Sequence, residues 1–305
     1  MNAPRVDPRA ALAVAVVGVS TSAILIRWSS APPVVAAFYR VLFTTLLLAP
    51  LLVWRRYESV GRIGRRGWLT SAGAGLALAV HFAVWFESLR HTSVAASVTL
   101  VQTQPAFVAL GAAFLLGERV TRRVAAGIAI AIAGAALLSG GDLLGGAVGP
   151  RPLLGDGLAL IGAVMAASYV LVGRSLRQRL ALVPYVLVVY GVCTLALGAI
   201  ALAAGDPLAG YAPREWLLFL AMAVGPGLLG HTLINWSLAH VESSVVSVTL
   251  VGEPVGSALL ALVLLGEVPT AWTVAGGAVV LAGIVVTARE RSTPEPAAAA
   301  EAGAT

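Results

Sequence analysis

The chain contains no lysine, a single cysteine and little charge of either sign. Charged residues fill 11% of its 305 positions, against roughly 25% in an ordinary soluble domain. The missing lysine excludes a Walker-type phosphate loop, in which a lysine reaches the nucleotide phosphates. Any energy source must then be an ion gradient or a solute's own gradient. Cys193 has no second cysteine to pair with, so an intrachain disulfide is excluded. Two central histidines without a third ligand do not make a metal set. The GxS at Gly18–Ser20 lacks the rest of a nucleophile elbow. The segments between apolar runs are too short for a soluble catalytic domain, and no cofactor motif is present. The sequence therefore reads as a non-enzyme without metal or cofactor.

What fills the space is hydrophobic: 59% of residues, with a mean hydropathy of +0.91. One aqueous core cannot bury so much apolar surface, so the class is integral membrane. Apolar runs of about 16 to 24 residues, each near the length a ~30 Å hydrocarbon core needs, follow one another. They are Ala10–Ile26, Val34–Val53, Trp68–Leu89, Ser93–Leu116, Val124–Ser139, Leu153–Val172, Val183–Ala204, Trp216–Ala239, Ser243–Leu265 and Ala271–Ala288. They predict an all-α protein of ten transmembrane helices, since a β-barrel would show short alternating segments. Arg27 closes the first run and Pro32 disfavours cleavage at Ser29–Ala31, so this run is expected to remain as a helix. The tail after Arg291 lacks a hydrophobic set and is expected to be disordered.

The sequence pI is near 10.2, and the distribution of arginine accounts for it. With the N-terminus placed in the cytoplasm, the inside segments hold Arg5, Arg9, Arg55, Arg56, Arg62, Arg65, Arg66, Arg119, Arg122, Arg123, Arg174, Arg177, Arg179, Arg289 and Arg291. The outer segments hold only Arg27, Arg90, Arg151 and Arg214. This is the positive-inside bias, so membrane topology explains the charge and no nucleic-acid partner is needed. Both termini are expected to be cytoplasmic.

The sequence also repeats. SLRHTSVAASVTLVQTQP, then LLGERVT, Gly127 and Gly134, is answered by SLAHVESSVVSVTLVGEP, LLGEVPT, Gly276 and Gly283. His81 and His231 stand near matching positions. Two repeats of five helices follow, residues 10–140 and 153–288, flanked by residues 1–9 and a tail at 289–305. Five is odd, so the second repeat must enter the membrane inverted. The charge agrees: GERVTRR is arginine-rich, whereas its counterpart GEVPTAW has none. Inverted repeats are a transporter architecture, with substrate held near the midplane between the halves.

AAFYR in helix two, SVAASVTLVQTQPAFVALGAAFLLGERVT across helices four and five, and SSVVSVTLVGEPVGSALLALVLLGEVPT across nine and ten together resemble the EamA family of the drug/metabolite transporter superfamily. The resemblance covers nearly the whole chain except the tail. It implies a ten-helix, two-repeat carrier of small metabolites, often amino acids moved outward, commonly without ATP. It supplies no particular substrate. Members often carry a carboxylate before the proline that Pro254 matches; the first repeat has Gln104 there instead.

The polar residues inside the apolar runs are the candidate site. Glu253 lies near the middle of its run, where a charge is costly unless it faces a cavity or a partner. It is the candidate for proton coupling or for a substrate amine; the alternative is a structural pair with Arg40. Pro254 frees a carbonyl one turn earlier. Arg40 could neutralise a substrate carboxylate, pair with Glu253, or snorkel outward. His81 and Trp85 share one face of helix three, as His231 and Asn235 share one of helix eight, followed by Trp236. Interhelical hydrogen bonding is the alternative for these residues. Gln102 and Gln104 are uncharged candidates at similar depth. Gly225–Pro226–Gly227 predicts a break or hinge before His231. Tyr39 and Tyr169 read mostly as packing, Glu118 and Glu267 as structural loop residues, and Glu87 as the partner of Arg90.

The reading is an inner-membrane, multi-pass secondary carrier, monomeric or homodimeric, with a small-molecule substrate and the lipid bilayer as its partners. It would export small metabolites, amino acids or related zwitterions, by alternating access with proton coupling at Glu253. A multidrug or nucleoside-type carrier of the same fold, or a non-transport membrane protein, are the alternatives.

Overall fold

The structure is a computed structural model describing residues 7–56, 64–116, 120–141, 149–177, 182–234 and 249–290. Among the described residues there are helices, turns and short connections, and no strand. The helices are α1 (Pro8–Trp28), α2 (Pro33–Arg56), α3 (Arg65–Ser88), α4 (Val94–Val101), α5 (Gln104–Leu116), α6 (Arg122–Gly141), α7 (Pro152–Arg177), α8 (Leu182–Ala203), α9 (Pro213–Met222), α10 (Gly252–Leu265) and α11 (Ala271–Glu290). A π-helical segment, Ala223–Thr232, continues α9. Among the described residues seven stretches, with α4 and α5 taken together, are long and apolar enough to cross a bilayer; the apolar parts of α10 and α11 are shorter. Large exposed side chains such as Phe114, Leu195 and Val263 are apolar, as a lipid-facing surface requires. The chain is a multi-pass membrane protein.

Local chemistry sets the helix ends. Proline opens α1, α2, α7 and α9, where the missing N–H costs nothing. Ser93 caps α4 by accepting from Ala96 N at 3.1 Å. Thr121 and Thr270 cap α6 and α11 at 3.2 and 3.0 Å, as their positions predict. Gly266 ends α10 with φ 67°, and the Glu267 N–H reaches back to Ala261 O at 3.2 Å.

Two predicted helices are corrected. The fourth run is not one rod: α4 stops at Val101, and α5 starts at Gln104. Pro105 cannot donate to the carbonyl one turn back, so the ladder is interrupted. Thr103 instead bonds Leu100 O through its own N–H at 3.1 Å and through Oγ1 at 2.6 Å. In the eighth run, Gly225–Pro226–Gly227 does not break the rod but widens it into the π-helix. Residues 235–248, with Asn235 and Trp236, lie outside the described residues, as do Glu118 and the tail from Arg291.

Packing follows a pattern of exchanged pairs. α6 lies against α11, α2 against α8 and α4 against α10. α3 packs on α7, and the α9–π rod packs on α1; α4 and α5 also touch α7, as α10 touches α1. The α6–α11 contact is glycine on glycine. A Cβ on Gly127 would stand 2.8 Å from Gly283 O, and one on Gly134 2.9 Å from Gly276 O. The order makes the helices antiparallel and their backbones touch, as small residues permit.

Two carboxylates hold more than their positions in the sequence suggest. Glu267 is a structural loop residue: it pairs with Arg27 at the end of α1, and its other oxygen accepts from Val94 N at 3.0 Å. Glu87, near the end of α3, pairs with Arg90 at 4.0 Å as expected and also holds His91 Nε2 at 3.0 Å, a partner the sequence reading missed.

Candidate central site

α2, α3, α4 and α10 carry the polar side chains that the sequence singles out. Arg40, in the second turn of α2, is 3% exposed. Its guanidinium lies over the rings of Phe82, Phe86 and Trp85, at 4.8, 5.7 and 6.0 Å from their centroids. Positions 82 and 86 are one turn apart on α3, so two ring faces meet the cation from one side. Arg40 donates one side-chain hydrogen bond among the described residues, from Nη1 to Ser22 Oγ at 3.0 Å. It stands within electrostatic reach of Glu253, Tyr190 and Cys193, yet makes no ion pair with Glu253.

Glu253 sits in the first turn of α10, half-buried. Its Oε2 accepts from Gln102 Nε2 at 2.6 Å. That bond ties the start of α10 to the break between α4 and α5. The same turn is fastened to α1 on its other side. Ser20 Oγ donates to Glu253 O at 3.4 Å, and Ser257 Oγ donates to Ser20 O at 3.2 Å.

His81 stacks on Trp85, with centroids 5.8 Å apart and planes 18° from parallel. His81 Nδ1 is 2.9 Å from Gly162 O. A carbonyl only accepts, so Nδ1 carries the proton and Nε2 is left as an acceptor. The Trp85 Nε1–H is buried without an acceptor among the described residues. His231, late in the π-helix, is exposed, and it lies within electrostatic reach of Arg40 and His81. Gln104 is half-buried at the start of α5 and makes no side-chain hydrogen bond to the group just described.

The structure thus brings together Arg40, His81, Trp85, Gln102, Glu253 and His231, and leaves Gln104 apart. Tyr39 belongs to an aromatic cluster: it stacks on Phe219 at 4.9 Å and meets Trp216 edge-on at 4.8 Å. Tyr169 packs at the edge of the main core. Sequence reading missed Ser22, Phe82, Phe86, Ser20 and Ser257. The run Ser20–Thr21–Ser22 in an otherwise apolar helix was the available signal. Chemically, the arrangement keeps a cation and a carboxyl group near one another without letting them neutralise each other by contact. Among the described residues no cluster of histidine, cysteine, aspartate and glutamate could hold a metal ion.

The comparisons agree with this architecture. A solved crystal structure matches with a TM-score of 0.62 at 23% identity, over 94% of this chain and 99% of that one, which shows the fold. The chain is 28% identical over 273 residues to the pseudopaline exporter CntI of Pseudomonas aeruginosa strain UCBPP-PA14, covering 88% of this chain and 90% of that one. It is 25% identical over 258 residues to an uncharacterized transporter of Archaeoglobus fulgidus, covering 82% and 86%. The sequence profile of the EamA-like transporter family matches residues 9–140 and again residues 153–289. The chain belongs to the EamA-like transporter family and is a membrane transporter.

Proposed function

We infer that this transporter exports a small zwitterionic metabolite of amino-acid type. Its carboxylate would be held at Arg40 and its amine at Glu253. The observation that carries this reading is the state of Arg40: deeply buried, bonded once among the described residues, cradled by aromatic faces and not ion-paired with the nearby carboxyl group. A buried guanidinium with donors to spare is costly unless an anion arrives to use them. Gln102 orients the Glu253 carboxyl, and Trp85 closes one wall. His81, His231, Asn235 and Trp236 complete the proposed lining.

Alternating access between two inverted five-helix repeats is the mechanism the packing supports. Under such a symmetry α6 must face α11, α2 face α8 and α4 face α10, and the contact of α3 with α7 must be answered by that of the α9–π rod with α1, as each is. Glu253 would take up a proton when the amine leaves, coupling export to a pH gradient. By the positive-inside bias of the arginines, both termini would lie in the cytoplasm and the α1–α2 turn outside. That one relative is named an exporter agrees with outward movement.

Purified protein in liposomes, loaded with single amino acids and given a pH gradient, tests the reading. Gradient-dependent movement of at least one zwitterion is expected; no movement of any panel member would overturn the substrate class. Arg40→Lys keeps the charge but loses the planar fork. Apparent affinity should fall about tenfold or more, as for the loss of a charge-assisted hydrogen bond. Wild-type affinity in that variant would remove Arg40 as the carboxylate site.

A further inference from the structure

The ends of the helices at the α1–α2 turn are tied across the molecule by two carboxylates. Glu267 follows α10 directly, and the left-handed Gly266 turns its backbone out of the helix. One carboxylate oxygen pairs with Arg27, and the other accepts from Val94 N at 3.0 Å. Arg27 also donates to Leu89 O at 2.8 Å. One residue of the second matched segment thus grips the end of α1 and the turn between α3 and α4, all in the first segment. Glu215, in the first turn of α9, does the same at a second point. It is 3% exposed and accepts from Ser29 Oγ at 2.5 Å, Ser30 Oγ at 2.9 Å and Ser30 N at 3.1 Å. The α1–α2 turn is therefore held from both sides by the second segment. Ion pairs between described residues all fall at this end.

We propose that Arg27–Glu267 and the Glu215–Ser29–Ser30 cluster form a gate, closed in this structure, that must part for the central site to open at the α1–α2 end. The inference rests on the alternating-access reading and adds its lock. Rigid halves cannot rock apart at this end while these bonds hold, because each bond joins one half to the other. Both carboxylates are shielded from water while closed, and opening rehydrates them. The bonds can therefore part at a cost that an arriving ligand or a proton can meet. Both latches engage the same short turn, so they should act together.

The test reads conformation without any substrate. Spin labels are placed on the full-length protein in lipid nanodiscs at Arg90→Cys and Val268→Cys, one in each segment; both sites are exposed. Cys193 is buried and stays in place. The otherwise unaltered chain should give one short distance between the labels. Glu267→Gln, and separately Glu215→Gln, should add a longer population, changing the open-to-closed ratio by about tenfold. Glu267→Asp keeps the charge and both acceptor oxygens and should return most of the short distance, which a folding defect would not do. Unchanged distances in both Gln variants, or a long population as large in Glu267→Asp as in Glu267→Gln, would overturn the gate. Because no transport is measured, that result would leave the Arg40 and Glu253 assignments standing. Equally, an inactive Arg40 variant that keeps the label distances would leave the gate standing.

Discussion

α3 and the α9–π rod occupy corresponding places in the packing and carry corresponding histidines, yet they are built differently. α3 is a regular helix from Arg65 to Ser88, and it packs His81 against Trp85 with Nδ1 bonded to Gly162 O. The other rod widens at Ala223, and its His231 is exposed. The residues before the two prolines differ in the same way: Gln104 stands apart, while Glu253 is bonded to Gln102. The first segment supplies the arginine, one histidine and their aromatic wall. The second supplies the carboxylate and an exposed histidine. The two matched segments thus contribute unlike groups to one place, as the zwitterion proposed above would need.

The strongest challenge to that division replaces the two residues before the prolines. Glu253→Gln should abolish the part of transport driven by a pH gradient, while exchange down a substrate gradient survives. Gln104→Ala should leave both nearly unchanged. Equal losses in the two variants, measured in the same liposomes, would show that the copies share the work.

A smaller effect is expected from straightening the rod. Pro226 lacks an N–H and favours the wider ladder, so Pro226→Ala permits an ordinary α-helix. The variant should melt a few degrees higher, as a gain of about 1 kcal/mol would give. Transport should slow, because His231 would turn away from Arg40. A higher melting point with undiminished transport would show that the π-helix serves packing only.

The legible and illegible parts of this molecule separate along physical lines. Run length and apolarity placed α1, α2, α3, α6, α7 and α8 to within a few residues, because a bilayer imposes a length. Pro105 carried the signal for the break at Gln102–Thr103, but a continuous apolar run hid it. Gly225–Pro226–Gly227 announced that an α-helix could not persist, and could not say whether a kink or a wider helix would replace it. The aromatic cradle of Arg40 was illegible because Phe82 and Phe86 come from another helix and read as ordinary core. Glu267 read as a structural loop residue, but its partner was illegible because the GE text occurs twice. What distinguishes it is Arg27, distant in sequence and brought close only by the fold.

The finest test of the contrast uses glycine. Gly73 on α3 has open space where a Cβ would go, so Gly73→Ala should gain about 0.5–1 kcal/mol from reduced chain freedom. Gly227 in the π-helix has Thr44 Oγ1 2.6 Å from that position, and the same hydroxyl donates to Arg40 O at 2.7 Å. Alanine there must push Thr44 and, through it, the turn that carries Arg40, at a cost of about 1–3 kcal/mol. Thermal melting in detergent should therefore move up for Gly73→Ala and down for Gly227→Ala, and substrate affinity should weaken only in the second. If both variants move alike, the two rods tolerate side chains equally, and the π-helical rod is not where the site gains its asymmetry.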